Sequence, residues 1–118
     1  MEKLYIVVRA DLKPGLQLAQ ACHALREFAA RHPDLDTAWY RGSNNLVVLQ
    51  VANEVALKGL METVLSETPN TCCADFREID LGNQLTAVAF EDGARKFVSS
   101  LPLALRQRAD YGSMDCAD

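Results

Sequence analysis

Two short stretches of the chain contain side chains that could do chemistry, and the first lies around a histidine. Gln20, His23 and Glu27 follow one another at spacings of three and four residues. In a helix, these positions share one face. Because an unperturbed imidazole titrates at about pH 6.5, His23 could act as a base or as a hydrogen-bond donor at neutral pH. An exposed helical histidine without a catalytic role shows the same pattern, so both interpretations stay open here.

The second stretch runs from Asp80 to Asn83 and directly follows an apolar segment. The carboxylate of Asp80 could orient a water molecule or a histidine at this point. Gly82 would allow a ligand to approach the backbone closely. A turn in which Asp, Gly and Asn serve only the backbone conformation has the same composition.

A strand and a helix must position the first stretch. The apolar run at residues 3–10 predicts a central strand. Residues 14–31 predict a helix, because Pro14 suits a first-turn position and the residue before Pro33 is pushed out of the helical region. The apolar positions expected to face the sheet are Leu18, Cys22, Leu25, Phe28 and Ala29, with the histidine face on the opposite side.

Charged residues are concentrated where this strand is followed by the helix. Arg9, Asp11 and Lys13 all lie in the connection. A helix N-terminus presents unpaired N–H groups and a positive dipole end, so this junction is the usual ligand site of α/β proteins. Arg9 and Asp11 could equally form only an ion pair at the end of the strand.

The rest of the chain alternates between apolar strands and helices. The remaining predicted elements are strands at residues 45–51, 72–79 and 85–90 and helices at residues 53–66 and 93–100. Asn53 suits the N-cap position, and residues 34–41 are ambiguous between a short helix and an edge strand. The strand at 45–51 is almost wholly apolar and is therefore expected to be central.

This alternation predicts a single α/β domain over residues 1–108, with a mixed four-stranded β-sheet flanked by helices. The polar segment 109–118 is expected to be a flexible C-terminal tail. If the first and third strands run parallel, their carboxyl ends lie at the same edge of the sheet. Residues 9–11 and 79–83 could then form one pocket.

Composition narrows the function further. The 118 residues have a net charge of −4, and the imbalance lies in the second half, where residues 51–118 carry a charge of −5. This charge argues against a broad basic surface that binds nucleic acid through many phosphates, and contact with a polyanion is expected in the first half. Four cysteines without a C-x-x-C pair or a signal peptide indicate a reducing cytoplasm and no metal site. The chain has no apolar run of the roughly 20 residues that cross a bilayer.

Several segments resemble the class II (archaeal and eukaryotic type) peptidyl-tRNA hydrolases. The segments are V-V-R-A-D-L at residues 7–12, Gly15, and A-Q-A-C-H-A at residues 19–24, which resemble the family's V-V-R-x-D-L strand and G-K-x-A-A-Q-C-x-H-A helix. N-L-V-V-L at 45–49, and D-L-G at 80–82 followed by L-T-A-V at 85–88, are similar to later family segments. Leu16 stands where the family has lysine, and Asn83-Gln84 stand where it places Arg and Thr.

This resemblance covers about residues 3–105 and implies an esterase. The family cleaves the ester joining a peptide to the terminal ribose of tRNA, without a metal or an organic cofactor. By resemblance, the hydrolytic residues are His23, Asp80 and Gln20. The implied substrate-binding residues are Arg9, Asp11, Lys13, Asn83 and Thr86, with Arg9 or Lys13 near the phosphates.

Two other functions fit the same residues. One is a non-catalytic module that binds an RNA end or a protein through Arg9, Asp11 and His23. The other is hydrolysis of a different small acyl ester or amide. A homodimer is also possible, through apolar side chains at residues 39–40 or 101–103, although isolated surface hydrophobes are normal.

Overall fold

The computed structural model describes residues 1–106, and the predicted tail at 109–118 lies outside the described residues. The strands are β1 (Lys3–Arg9), β2 (Asn45–Val51), β3 (Cys73–Glu78) and β4 (Gln84–Phe90). The helices are α1 (Pro14–Arg31), α2 (Pro33–Arg41), α3 (Glu54–Glu67) and α4 (Arg95–Val98). Two 3₁₀ turns, Ile79–Leu81 and Asp92–Ala94, follow β3 and β4.

The four strands form one mixed sheet in the order β2-β1-β4-β3. β1 and β2 are parallel, whereas β4 is antiparallel to both of its neighbours, so β3 runs in the same direction as β1. This confirms the predicted α/β fold with a mixed four-stranded sheet. Arg9 and Glu78 therefore end their strands at the same edge, with Gln84 at the start of β4 between them; we call this the carboxyl edge.

The expectation that β2 is a central strand was wrong, because β2 lies at one edge of the sheet. β2 is nevertheless apolar, because a later segment of the chain packs along its outer edge. Leu49 forms an antiparallel bridge with Leu103, and the backbone N–H of Gln50 donates to the carbonyl of Pro102 at 3.0 Å. A segment outside the named strands thus covers part of the exposed edge, which is one way in which proteins protect edge strands.

The core lies on both faces of the sheet. Side chains alternate between the faces along β1, so that Leu4, Ile6 and Val8 contact α1 residues such as Phe28. The other side chains of β1, beginning with Tyr5, pack in the cluster that contains α3. The two helices therefore cover opposite faces.

The predicted buried face of α1 was wrong in part: Phe28 is buried as predicted and Leu25 is partly buried against the same core, but the other side of the face is not. The buried positions are Gln17, Gln20, Ala21, Ala24 and Phe28. The side chain of Leu18 is 58% exposed and Cys22 is exposed as well. Small alanines let the helix approach the sheet closely. The Gln20 amide has partners on β3 and β4, whereas the Gln17 amide donates to the carbonyls of Ala10 and Leu12 in the connection before α1. The Leu18 side of α1 instead lines a shallow apolar cavity of about 90 Å³ against Leu46 and Val48 of β2.

The ambiguous segment is helical, and it forms α2. Trp39 anchors it, because this side chain is buried and its indole N–H donates to the carbonyl of Asn45 at 2.9 Å. Asn53 caps α3 as predicted, with its side-chain oxygen accepting from the N–H of Ala56. The expected helix at 93–100 is shorter, since a 3₁₀ turn and the four residues of α4 replace it.

Candidate active site

A buried chain of hydrogen bonds joins α1, β3 and β4 near the carboxyl edge. Gln20 is only 1% exposed, and its side-chain N–H donates to a carboxylate oxygen of Glu78 at 2.9 Å. The hydroxyl of Thr86, which is fully buried, donates to the amide oxygen of Gln20. Both ends of the Gln20 amide therefore have partners, and its orientation is fixed. We call Thr86, Gln20 and Glu78 the relay.

A β-bulge positions Thr86 in the relay. Phe76 pairs with Ala87 and Arg77 pairs with Leu85, so Thr86 is the extra residue of β4 at this point. A bulge bends its strand and changes the direction of the extra side chain. The carbonyl of Phe76 lies 3.3 Å from the Thr86 hydroxyl on this side of the sheet.

Glu78 is a site residue that the sequence analysis missed. The N–H donated by Gln20 lowers the pKa of the Glu78 carboxyl, and the backbone N–H of Asp80 and the nearby imidazole of His23 add to the effect. Glu78 is therefore ionised at neutral pH. Its signal in the sequence was its spacing from Phe76, because residues i and i+2 of a strand share a face.

His23 lies beside the relay. Its ring stacks on Phe76 with a centroid separation of 4.6 Å and an angle of 16° between the planes. The residue is exposed, and no hydrogen bond to its ring nitrogens is formed by any other residue between 1 and 106. The flat contact with Phe76 thus orients the imidazole and leaves both nitrogens open to a ligand.

Asp80 is exposed in the 3₁₀ turn that follows β3. Its backbone N–H lies 3.4 Å from the second carboxylate oxygen of Glu78. Within the described part of the chain, neither Asp80 nor Glu78 forms a hydrogen bond or an ion pair with His23. Glu78 is instead bonded to Gln20, three residues before His23 on α1. Asn83 is exposed with a φ of 65°, and its N–H donates to the carbonyl of Glu78 at 2.9 Å.

Arg9 forms a second group of contacts at the carboxyl edge. It is 7% exposed, and its guanidinium donates twice to Asp11, at 3.0 and 2.9 Å. It also donates to the side chain of Gln84 at 2.8 Å and to the carbonyl of Leu85 at 3.2 Å. The bonds between the two charged groups raise the pKa of Arg9 and lower that of Asp11. Most of the guanidinium's donors are therefore used within the protein.

The two groups lie on opposite faces of the sheet. Arg9 follows Tyr5 and Val7 at alternate positions of β1, which places it on the α3 face, whereas the relay lies on the α1 face. Lys13 is exposed at the N-cap position of α1 and makes no capping hydrogen bond with its side chain. The structure thus unites Gln20 and Thr86, and Arg9 and Asp11, but not all the predicted site residues in one cluster.

A wider cavity opens beside the Arg9 group. Its volume is about 510 Å³, and it is lined by Ala10, Gln50, Val51, Ala52, Ala56, Leu101 and Pro102. The lining is mostly apolar and contains no ionisable side chain. This cavity lies at the ends of β1 and β2, away from the relay at the ends of β3 and β4.

Neither a metal cluster nor a membrane helix is found in residues 1–106. No three or more His, Cys, Asp or Glu side chains of this part are grouped so that they could hold a metal ion. None of its helices is long and apolar enough to span a bilayer.

Comparison with known proteins gives the class of the chain. The structure is an α/β domain with a polar site at the carboxyl edge of a mixed sheet. The chain belongs to the peptidyl-tRNA hydrolase PTH2 family, whose family model matches residues 2–104. No curated protein matches the chain.

A solved structure supports the fold independently. The chain is similar to the protein of unknown function Atu0240 from Agrobacterium tumefaciens strain C58, with 14% sequence identity and a TM-score of 0.60. The match covers 86% of this chain and 96% of the other. At this identity the similarity concerns the fold alone.

Proposed function

We propose that this protein hydrolyses the ester between a peptidyl, or N-blocked aminoacyl, group and the 3′ end of tRNA. The observation that supports the proposal most is the position of His23, whose open imidazole lies beside the ionised Glu78 at the carboxyl edge. Membership of the peptidyl-tRNA hydrolase family supplies the substrate class.

In the proposed reaction, His23 takes a proton from a water molecule as the water oxygen attacks the ester carbonyl carbon. Asp80 is exposed on the neighbouring turn and holds that water. When the ester bond breaks, the ribose oxygen leaves with the proton returned by the imidazole. The products are the free peptide acid and tRNA, so the proposed step needs only water as co-reactant.

Gln20 and Thr86 support this reaction from within the protein. Because both ends of the Gln20 amide are bonded and the residue is buried, it positions Glu78 rather than contacting substrate. The Thr86 hydroxyl donates to the Gln20 amide oxygen and so fixes the orientation of that amide. In this proposal, Gln20 and Thr86 are positioning residues for the groups at the surface.

Substrate binding uses the exposed polar groups of the same edge. Lys13 is the exposed cation nearest to the start of α1, where unpaired N–H groups also favour phosphate. The charge of Arg9 is neutralised by Asp11, and its guanidinium joins the end of β1 to the start of β4. Asn83 donates from the exposed turn to the oxyanion that forms during attack.

The alternative is an RNA- or protein-binding module without turnover, and two observations favour it. Leu16 replaces the lysine of the family pattern, and the Arg9 guanidinium is already occupied. Such a module would bind tRNA or a partner protein and leave the ester intact.

Deacylation of N-acetyl-aminoacyl-tRNA distinguishes the two functions. The assay separates free tRNA from intact substrate and measures binding in parallel. Release of tRNA in excess over protein, abolished by Asp80→Asn but not by Glu62→Gln on the exposed surface of α3, supports hydrolysis. Binding without release would overturn it and leave the non-catalytic function.

A further inference from the structure

We infer that Glu78 is a positioning residue of the proposed reaction, which acts by stabilising the protonated imidazole of His23. This inference rests on the proposed function and adds a group that neither the sequence motifs nor the family match identify.

Strand β3 brings Glu78 into the neighbourhood of His23, without a direct hydrogen bond between the two side chains. The ring of Phe76 lies flat against the imidazole, and Glu78 is two residues further along the same strand. Residues at this spacing point to the same face, so Glu78 follows Phe76 on the side covered by α1. The hydrogen bond from Gln20, three residues before His23 on α1, fixes the carboxylate beneath the same part of the helix.

The hydrogen bonds of the relay favour the ionised form of Glu78. Its carboxylate accepts N–H groups from Gln20 and, more distantly, from the backbone of Asp80. These donors stabilise the ionised form, and a carboxylate stabilised in this way is a weak proton acceptor. Glu78 therefore does not take the proton from water. A fixed negative charge does, however, favour a positive charge that develops on a neighbouring imidazole.

Other charged groups near His23 are less suited to this role. On α1, Arg26 and Glu27 lie three and four residues further on, and Glu27 is paired with Arg31 at 2.9 Å. Asp80 lies on the exposed turn. Within residues 1–106, Glu78 forms no ion pair with a lysine, an arginine or a histidine, so its charge is not neutralised and acts on His23 through space.

The test compares Glu78→Gln with Glu78→Asp and with the control Glu62→Gln. Glu78→Gln keeps the shape and an acceptor oxygen but removes the charge. We expect kcat to fall by about 10- to 100-fold with KM changed less than about twofold, and the acidic limb of the pH profile to move to lower pH. Glu78→Asp keeps the charge and recovers part of kcat, whereas Glu62→Gln behaves as the wild type.

A second measurement does not depend on activity. The imidazole protons of His23 are followed by NMR through a pH titration without substrate, with His32 as the internal control. In Glu78→Gln the midpoint for His23 moves to lower pH relative to the wild type, whereas the midpoint for His32 is the same in both proteins. A wild type that lacks hydrolysis but shows this shift overturns the proposed function alone. Unchanged midpoints, or a shift caused by Asp80→Asn instead, overturn the role of Glu78.

Discussion

The side chains of Gln20 and Glu78 are 58 residues apart in the sequence, and yet an amide N–H of the first lies 2.9 Å from a carboxylate oxygen of the second. This bond joins the middle of α1 to the last residue of β3. It also explains why a polar side chain occupies the centre of a buried helix face. Structure and proposed chemistry therefore depend on the same amide.

Replacing Gln20 tests the structural side of this relationship. Gln20→Leu keeps the side-chain volume but leaves the buried Thr86 hydroxyl without its acceptor on α1. We expect the free energy of unfolding to fall by about 1–3 kcal/mol, the usual cost of an unsatisfied buried polar group. Urea denaturation measures the change. Leu18→Ala, at an exposed position of the same helix, should cost under about 0.5 kcal/mol. Equal stability of the wild type and Gln20→Leu would show that the bond contributes nothing.

Two glycines provide a matched pair for backbone packing. A Cβ on Gly93 would clash with the side chain of Thr71, whereas a Cβ on Gly59 in α3 would meet nothing within 4 Å. Gly93→Ala should therefore destabilise the protein by about 1–3 kcal/mol through overpacking. Gly59→Ala should stabilise it by about 0.5–1 kcal/mol, because alanine is the better helix former. Thermal or urea unfolding of both variants checks the pair, and shifts of the same sign would contradict it.

The Arg9–Asp11 pair predicts a pH dependence of stability. Hydrogen bonds from Arg9 hold the pKa of Asp11 below its ordinary value in the folded state. The stabilisation is therefore complete above the unfolded pKa of about 3.9 and is lost as pH falls through that value towards the lower folded pKa. Asp11→Asn should make the free energy of unfolding less dependent on pH between about 5 and 3. Parallel slopes for wild type and variant over this range would refute the prediction.

Lys13 predicts how salt affects tRNA binding. An exposed lysine that contacts one phosphate adds about one unit to the slope of log affinity against log salt. Lys13→Ala should weaken binding several-fold at low salt and reduce the slope by about one. The control Lys58→Ala removes a cation that is already paired with Glu54 at 3.4 Å. Identical salt slopes for Lys13→Ala and the wild type would exclude Lys13 from the phosphate contact.

Local signals predicted the elements of this fold well. The boundaries of α1 followed from Pro14 and Pro33, and those of β2 from a continuous apolar run. Both signals depend on residues close together in sequence. The neighbours of a strand do not, and β2 was therefore placed wrongly in the centre, because its cover by Leu103 comes from a segment more than 50 residues later.

In the site, too, the residues marked by local motifs were predicted, and the one defined by a distant contact was not. His23, Gln20 and Asp80 were chosen from local motifs, and the structure places them at or near one edge. Glu78 was missed, because its spacing of two residues from Phe76 shows only that the two share a face, and the contact with α1 is what gives it a role. The exposed Leu18 was assigned to the core for the same reason. The prediction placed the large apolar side chains of α1 against the sheet, whereas the positions that face it are mostly alanine and glutamine.

The proposed function requires the imidazole of His23 to take part in ester hydrolysis. Multiple-turnover deacylation of N-acetyl-aminoacyl-tRNA by the wild type and by His23→Ala tests it most directly, with circular dichroism confirming that both proteins are folded. The proposal predicts many turnovers for the wild type and a rate lower by about 100-fold or more for the variant. Equal rates for the two proteins, or no turnover by the wild type, would contradict it.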